Sequence, residues 1–75
     1  MARLPVVSDR QAVRAFERAG WEHVRTKGDH MILVKSGVRA NLSVPDHPEL
    51  YRGTLRRLIA LAGIDVQEFS ESLRK

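Results

Sequence analysis

The chain has no cysteine among its 75 residues. That excludes disulfides, thiol chemistry and every cysteine-based zinc site. Aromatic residues make up only 5%. There is no glycine-rich phosphate loop, no internal repeat, no linker and no low-complexity segment. No apolar run is long enough to span a bilayer, and none at the amino terminus has signal-peptide length. The cytoplasm is therefore the expected compartment, and no membrane partner is expected. A chain of this length is read as one domain, residues 1–75. A domain this small buries only about 60% of the surface its unfolded chain exposes. With no covalent staple it relies on that core or on a partner.

What is present is a packed core and a surplus of positive charge. Hydrophobic residues make up 43%, too many for a disordered tail. Thirteen Lys and Arg face nine Asp and Glu, for a net charge of +4. A basic surface favours nucleic acid or an acidic partner protein. A lipid surface is disfavoured, because no segment joins a broad apolar face to a Lys/Arg-rich polar one.

Met1 to Val7 reads as an arm, with Pro5 blocking an early helix. Ser8-Asp9-Arg10-Gln11 is a capping-box pattern. Ala12, Val13, Phe16 and Ala19 follow at helical spacing, and Gly20 supplies a C-terminal stop. This predicts a helix over Asp9 to Ala19. Trp21 to Lys27 is compatible with a strand, Gly28-Asp29 is a turn, and His30 to Lys35 is a short apolar run that suits a central strand. Ser36-Gly37 is a second turn. Val38, Ala40, Leu42 and Val44 alternate with Arg39, Asn41 and Ser43, which predicts a strand with one wet face, ended by Pro45. Thr54 is the expected N-cap of a helix carrying Leu55, Leu58, Ile59 and Ala62, closed by Gly63. Asp65 to Glu68 starts a short final helix with Val66, Phe69 and Leu73. The order is α-β-β-β-α-α. The fold class expected is α+β: a three-stranded antiparallel meander with helices on one face, the layout of double-stranded-RNA-binding domains. Layout alone does not assign a function.

Three histidines are available: His23, His30 and His47. Their spacing matches no standard metal-ligand pattern, so neither a metal nor another cofactor is expected. His23 reads as structural. His30 follows a glycine turn and opens the central strand, with Arg25, Lys27 and Lys35 on the same hairpin. Histidine titrates near neutral pH and can take a proton from an RNA 2′-hydroxyl, whose oxygen then attacks the neighbouring phosphate. That route needs a base, a positive environment and a positioned backbone, and no metal. The alternative is a hairpin-end histidine that faces solvent. His47, in Val44-Pro45-Asp46-His47, can protonate the leaving 5′-oxygen, hold a phosphate, or bond nearby backbone. Asp29 and Asp46 each precede a histidine. Adjacent strand residues point to opposite faces, so neither Asp is expected to form a dyad, and Asp29 reads as a turn residue. Arg52, Thr54, Arg56 and Arg57 gather at a helix start, where free N–H groups and the helix dipole favour a phosphate. Gly28, Lys27 and Lys35 complete the candidate RNA-binding set. Arg10, Arg14 and Arg18 line one face of the first helix, either as a basic surface or as a solvated one.

Taken in order, Gly28-Asp29-His30, Val44-Pro45-x-His47, Arg52-Gly53-Thr54-Leu55, and Ala62-Gly63-Ile64 with Glu68-Phe69 resemble the HicA (YcfA-like) toxins. The opening Leu4-Pro5 and the Ala19-Gly20-Trp21 junction add to the likeness, which covers nearly the whole chain. The resemblance implies a toxin of a toxin–antitoxin system, an mRNA interferase that cleaves RNA, suppresses translation and is neutralised by a HicB-like antitoxin. It implies a monomer when free and a hetero-oligomer with the antitoxin. It places the family's catalytic histidine, from a Gly-Ser-His motif, at His30 and its second motif histidine at His47. This sequence departs at Asp29, where the family usually has Ser. A carboxylate there repels the phosphate or, bent close, favours the protonated form of His30. Two other readings stay open on the residues alone: an RNA-binding module of the same fold without catalysis, and a protein-interaction module with a basic face.

Overall fold

The computed structural model describes residues 4–74. Residues 1–3 of the expected arm lie outside the described residues. The rest of that segment is not a free arm. Leu4 and Val7 are buried, and the Val7 carbonyl accepts a hydrogen bond from Leu50 N at 2.9 Å.

The elements are α1 (Asp9–Arg18), β1 (Glu22–Lys27), β2 (His30–Val34), β3 (Leu42–Pro45), α2 (Arg52–Ala62) and α3 (Val66–Arg74). The α1 start is the capping box the sequence predicts. Gln11 N donates to Ser8 Oγ at 3.2 Å and Ser8 N donates to Gln11 Oε1 at 2.8 Å. A cap of this kind stabilises a helix by about 1 kcal/mol. Ala12, Val13, Ala15 and Phe16 face the core. Gly20 follows with φ +102°, and a Cβ there would stand 3.1 Å from Lys35 Cε, so two constraints favour glycine.

The strands form one antiparallel sheet in the order β1-β2-β3, with β2 central as expected. Gly28 takes φ +61° in the two-residue turn between the paired Lys27 and His30. The β1–β2 register shifts between His23 and Arg25, leaving Val24 exposed. On β2 and β3 the pairs Met31–Val44 and Leu33–Leu42 point inward, with Leu33, Leu42 and Val44 fully buried. Period-two geometry then turns His30, Ile32, Ser43 and Pro45 to the outer face. Each fully buried aliphatic side chain contributes about 1.5–3 kcal/mol.

β3 is shorter than the alternation predicts. Pairing with β2 extends only to Leu33–Leu42, because the chain turns at Lys35–Val38, where Val38 N donates to Lys35 O at 3.0 Å. Val38 is exposed, so the outer half of the alternating run has no face to bury. Helix α2 also starts earlier than predicted. Tyr51 is its N-cap, with no side-chain cap hydrogen bond, and Thr54 is the third helical residue instead of the cap. Its core stripe of Leu55, Leu58, Ile59 and Ala62 is buried, and Gly63 closes it with φ +76°. Asp65 starts α3 reciprocally with Glu68: Glu68 N donates to Asp65 Oδ1 at 2.7 Å, and Asp65 N to Glu68 Oε1 at 3.2 Å. Helix α1 packs on β1, β3 and α3, and its Phe16 ring lies 5.2 Å from Phe69. Helix α2 packs against β3 and α3. That placement brings one side of α2 alongside the outer face of the sheet and its His30.

Candidate nucleic-acid interface

His30 begins the central strand, directly after the two-residue β1–β2 turn and paired with Lys27 across it. Its side chain is about half exposed. Two shallow depressions meet at it. One, of about 530 Å³, is lined by Lys27, Gly28, His30, Ile32 and Ser43 on the outer sheet face. The other, of about 350 Å³, lies between the sheet and α2, where His30, Ser43 and Pro45 face Thr54 and Arg57. Apolar stems from Leu58 and Leu61 floor it. The imidazole is therefore open to a long, flexible ligand from two sides, with a cation flanking each approach.

His30 Nδ1 lies 2.9 Å from Asp29 Oδ1. The expectation that neighbouring residues cannot form a dyad fails here for a local reason. The two-face rule applies within a strand, and Asp29 belongs to the turn. Its carboxylate folds back over the first strand residue. A carboxylate can only accept, so Nδ1 is the nitrogen placed to donate at this separation, which in a neutral ring leaves Nε2 as the acceptor. The turn is fixed from behind by Asp46 N, which donates to Asp29 O at 2.7 Å. The loop after β3 is held in turn by Asp9 N, which donates to His47 O at 3.1 Å. Two backbone bonds thus hold the end of the sheet that carries the histidine.

The same end holds a carboxylate pair. Asp9 is buried at the head of α1 and engages Asp46, pushing the Asp46 carboxyl above the usual carboxylate range. A shared side-chain hydrogen bond is the leading cause, followed by charge repulsion and desolvation, while Arg10 and His47 pull the other way.

The remaining residues singled out by sequence divide cleanly. Lys27, Gly28, Thr54 and Arg57 line the depressions with His30. Arg52 and Arg56 are exposed on α2 and line neither. Lys35 is withdrawn from the site: its Nζ donates to the Ala19 carbonyl at 3.0 Å, at the C-terminus of α1. A cation at that helix end is favoured by the dipole and by the unpaired carbonyl, which explains its diversion. His47 is exposed in the loop after β3, its ring 6.3 Å from that of Tyr51. It lines neither depression. His23, read as structural, is exposed, and its Nε2 is 3.2 Å from Thr26 Oγ1. Ser43 borders both depressions although sequence pattern does not single it out. Its signal is the alternation of β3, which puts it opposite the buried Leu42 and Val44. Among the described residues no three His, Asp or Glu gather as a metal site, and no helix is long and apolar enough to cross a membrane.

Residues 10–64 match the family model described as the HicA toxin of bacterial toxin–antitoxin systems. No curated protein matches the chain. The matched span holds the turn, His30, the outer-face strands and α2, which together form both depressions. On a match that covers well over half of its length, the chain belongs to the HicA toxin family.

Proposed function

We propose that this chain is an endoribonuclease toxin that cleaves mRNA with His30 as general base, at a site needing no metal. The observation that carries this is the pairing of His30 Nδ1 with Asp29 at 2.9 Å, beside depressions open to a polyanion. In that tautomer Nε2 is the free acceptor and takes the 2′-hydroxyl proton. The 2′-oxygen attacks the adjacent phosphorus, the P–O5′ bond breaks, and a 2′,3′-cyclic phosphate and a 5′-hydroxyl end form. The leaving 5′-oxygen takes a proton. His47, or water at this exposed site, supplies it. Asp29 stabilises the imidazolium that forms after proton transfer, as a carboxylate does in hydrolase triads.

Charge on the transferring phosphate is met by Arg57 and Lys27, which reach the depressions from opposite sides of His30. Thr54 adds a hydroxyl on the Arg57 side. The start of α2 lacks a side-chain cap and has no acidic residue in its first turn, so its free N–H groups also favour a phosphate. Arg52 and Arg56 serve as outer contacts for flanking nucleotides. Lys35, bound to Ala19, takes no part. The antitoxin's task on this reading is to cover His30 and the basic rim.

The test is a labelled RNA incubated with the purified chain in the presence of a chelator. The reading predicts fragments with 5′-hydroxyl and cyclic phosphate ends. RNA that is bound with steep salt dependence but stays intact would replace the enzyme by a binding module.

A further inference from the structure

Three arginines of α1 stand apart from the His30 site. Arg10, Arg14 and Arg18 follow at every fourth residue and, with Gln11 and Leu73 of α3, line a groove of about 230 Å³. Successive guanidinium groups are spaced by about 6 Å of helix rise. Among the described residues none of the three makes a close ion pair with a carboxylate, although the charge of Arg10 is felt by Asp46. Like charges four residues apart oppose helix formation by about 0.2–0.5 kcal/mol per pair, and Arg10 sits in the first turn, where the dipole disfavours a cation. The dipole favours only Arg18, in the last turn, so the first two positions of the stripe gain nothing from the helix itself. Arg18 is also held in place: its Nη1 donates to Ser72 O at 2.6 Å, joining α1 to the end of α3 and leaving its other N–H groups free.

We infer that this groove is a docking surface for an acidic segment of the cognate antitoxin, separate from the His30 site. The partner rests on family membership and not on the cleavage reading. Three guanidinium groups with free N–H forks suit carboxylates, which they bind in a bidentate manner. Leu73 supplies an apolar contact between them, which suits a peptide that carries acidic and apolar side chains together. An RNA strand suits the groove less well. Between His30 and α1 lie Asp29, Asp46 and Asp9, brought together at the end of the sheet by the Asp46 N to Asp29 O and Asp9 N to His47 O hydrogen bonds, and their carboxylates disfavour a polyanion there. Docking here leaves the depressions around His30 uncovered, so this segment tethers the antitoxin and another part of it must block cleavage.

The full chain is titrated by NMR with two probes: a synthetic peptide alternating Glu and Leu, and a short single-stranded RNA. The expected result is that the peptide shifts the Arg14 and Leu73 signals, and that Arg10→Gln/Arg14→Gln weakens its binding about tenfold. RNA cleavage by that variant stays at the wild-type rate. Because Arg18 is untouched, the α1–α3 joint is preserved, and an unchanged thermal midpoint verifies it. Peptide that leaves the groove signals unmoved, or that binds the variant equally well, overturns the proposal. So does RNA that moves those signals in place of the peptide. Loss of cleavage by the wild-type chain would instead refute the ribonuclease reading and leave this one standing.

Discussion

Asp29 Oδ1 lies 2.9 Å from His30 Nδ1 across a single peptide unit, so the turn that aims the histidine also places an acceptor against one of its two nitrogens. The Gly-Ser-His motif that the sequence resembles would place Ser at this position, and a hydroxyl can accept the same proton. We therefore expect Asp29→Ser to keep cleavage within about tenfold of wild type. Asp29→Leu offers no acceptor and should lower kcat by at least about tenfold with little change in KM. His30 is about half exposed and Asp29 largely so, and the pair stabilises the fold by on the order of 1 kcal/mol or less, so the thermal midpoint should hardly move. Nitrogen chemical shifts of the His30 ring would read the tautomer directly. A kcat unchanged in Asp29→Leu would remove Asp29 from the mechanism.

Arg57 is the α2 cation that shares a depression with His30, whereas Arg56 lies outside it. Arg57→Ala should weaken RNA binding and reduce the salt dependence of log K against log salt by roughly one phosphate contact. Arg56→Ala should do less. Equal losses from the two would mean a diffuse basic surface in place of a defined contact.

Phe69 is fully buried against Phe16, and α3 has no other fully buried residue. Phe69→Ala should cost about 3–5 kcal/mol. In a chain of this size that is a large fraction of the folding free energy, so chemical denaturation should show a strongly lowered midpoint or no folded baseline at all. A midpoint close to wild type would show that α3 adds little to the core.

The Asp46 carboxyl is raised by Asp9. The sign follows from linkage: a carboxylate with a folded pKa above its unfolded value destabilises the folded chain when ionised, at pH above the folded pKa. That penalty is relieved as pH falls toward the unfolded value. Asp46→Asn should therefore raise the thermal midpoint at neutral pH, with the gain shrinking to nothing below the usual carboxylate range. A gain that is independent of pH, or a loss, would contradict this.

Much of the fold is legible in the sequence because its signals are local. Ser8 with Gln11, the 3.6-residue stripe of Leu55, Leu58, Ile59 and Ala62, and Gly28 in a two-residue turn are each decided by neighbours along the chain. What fails is decided across space. The end of β3 depends on where β2 stops offering partners, not on the alternation of Val38 and Ala40. Lys35 has the charge and strand position of a site residue, yet the Ala19 carbonyl takes it, a contact 16 residues away. Asp29 is misread because the rule for strands is applied to a turn residue. Ser43 is placed on the wet face by the alternation of β3, but only its register with Ile32 brings it beside His30. Of the residues that line the candidate site, His30, Gly28 and Lys27 stand out by sequence neighbourhood, Thr54 and Arg57 by chemistry and Ser43 by strand alternation, whereas the approach of Asp29 to His30 emerges only from geometry.

In the proposed mechanism His30 removes the proton that starts RNA cleavage. The measurement is the rate at which purified His30→Ala cuts a labelled RNA, beside wild type, in chelator, with the thermal midpoints compared. The expected result is a loss of at least about a hundredfold with the fold intact and RNA binding retained. Cleavage by the folded His30→Ala protein at the wild-type rate would contradict it.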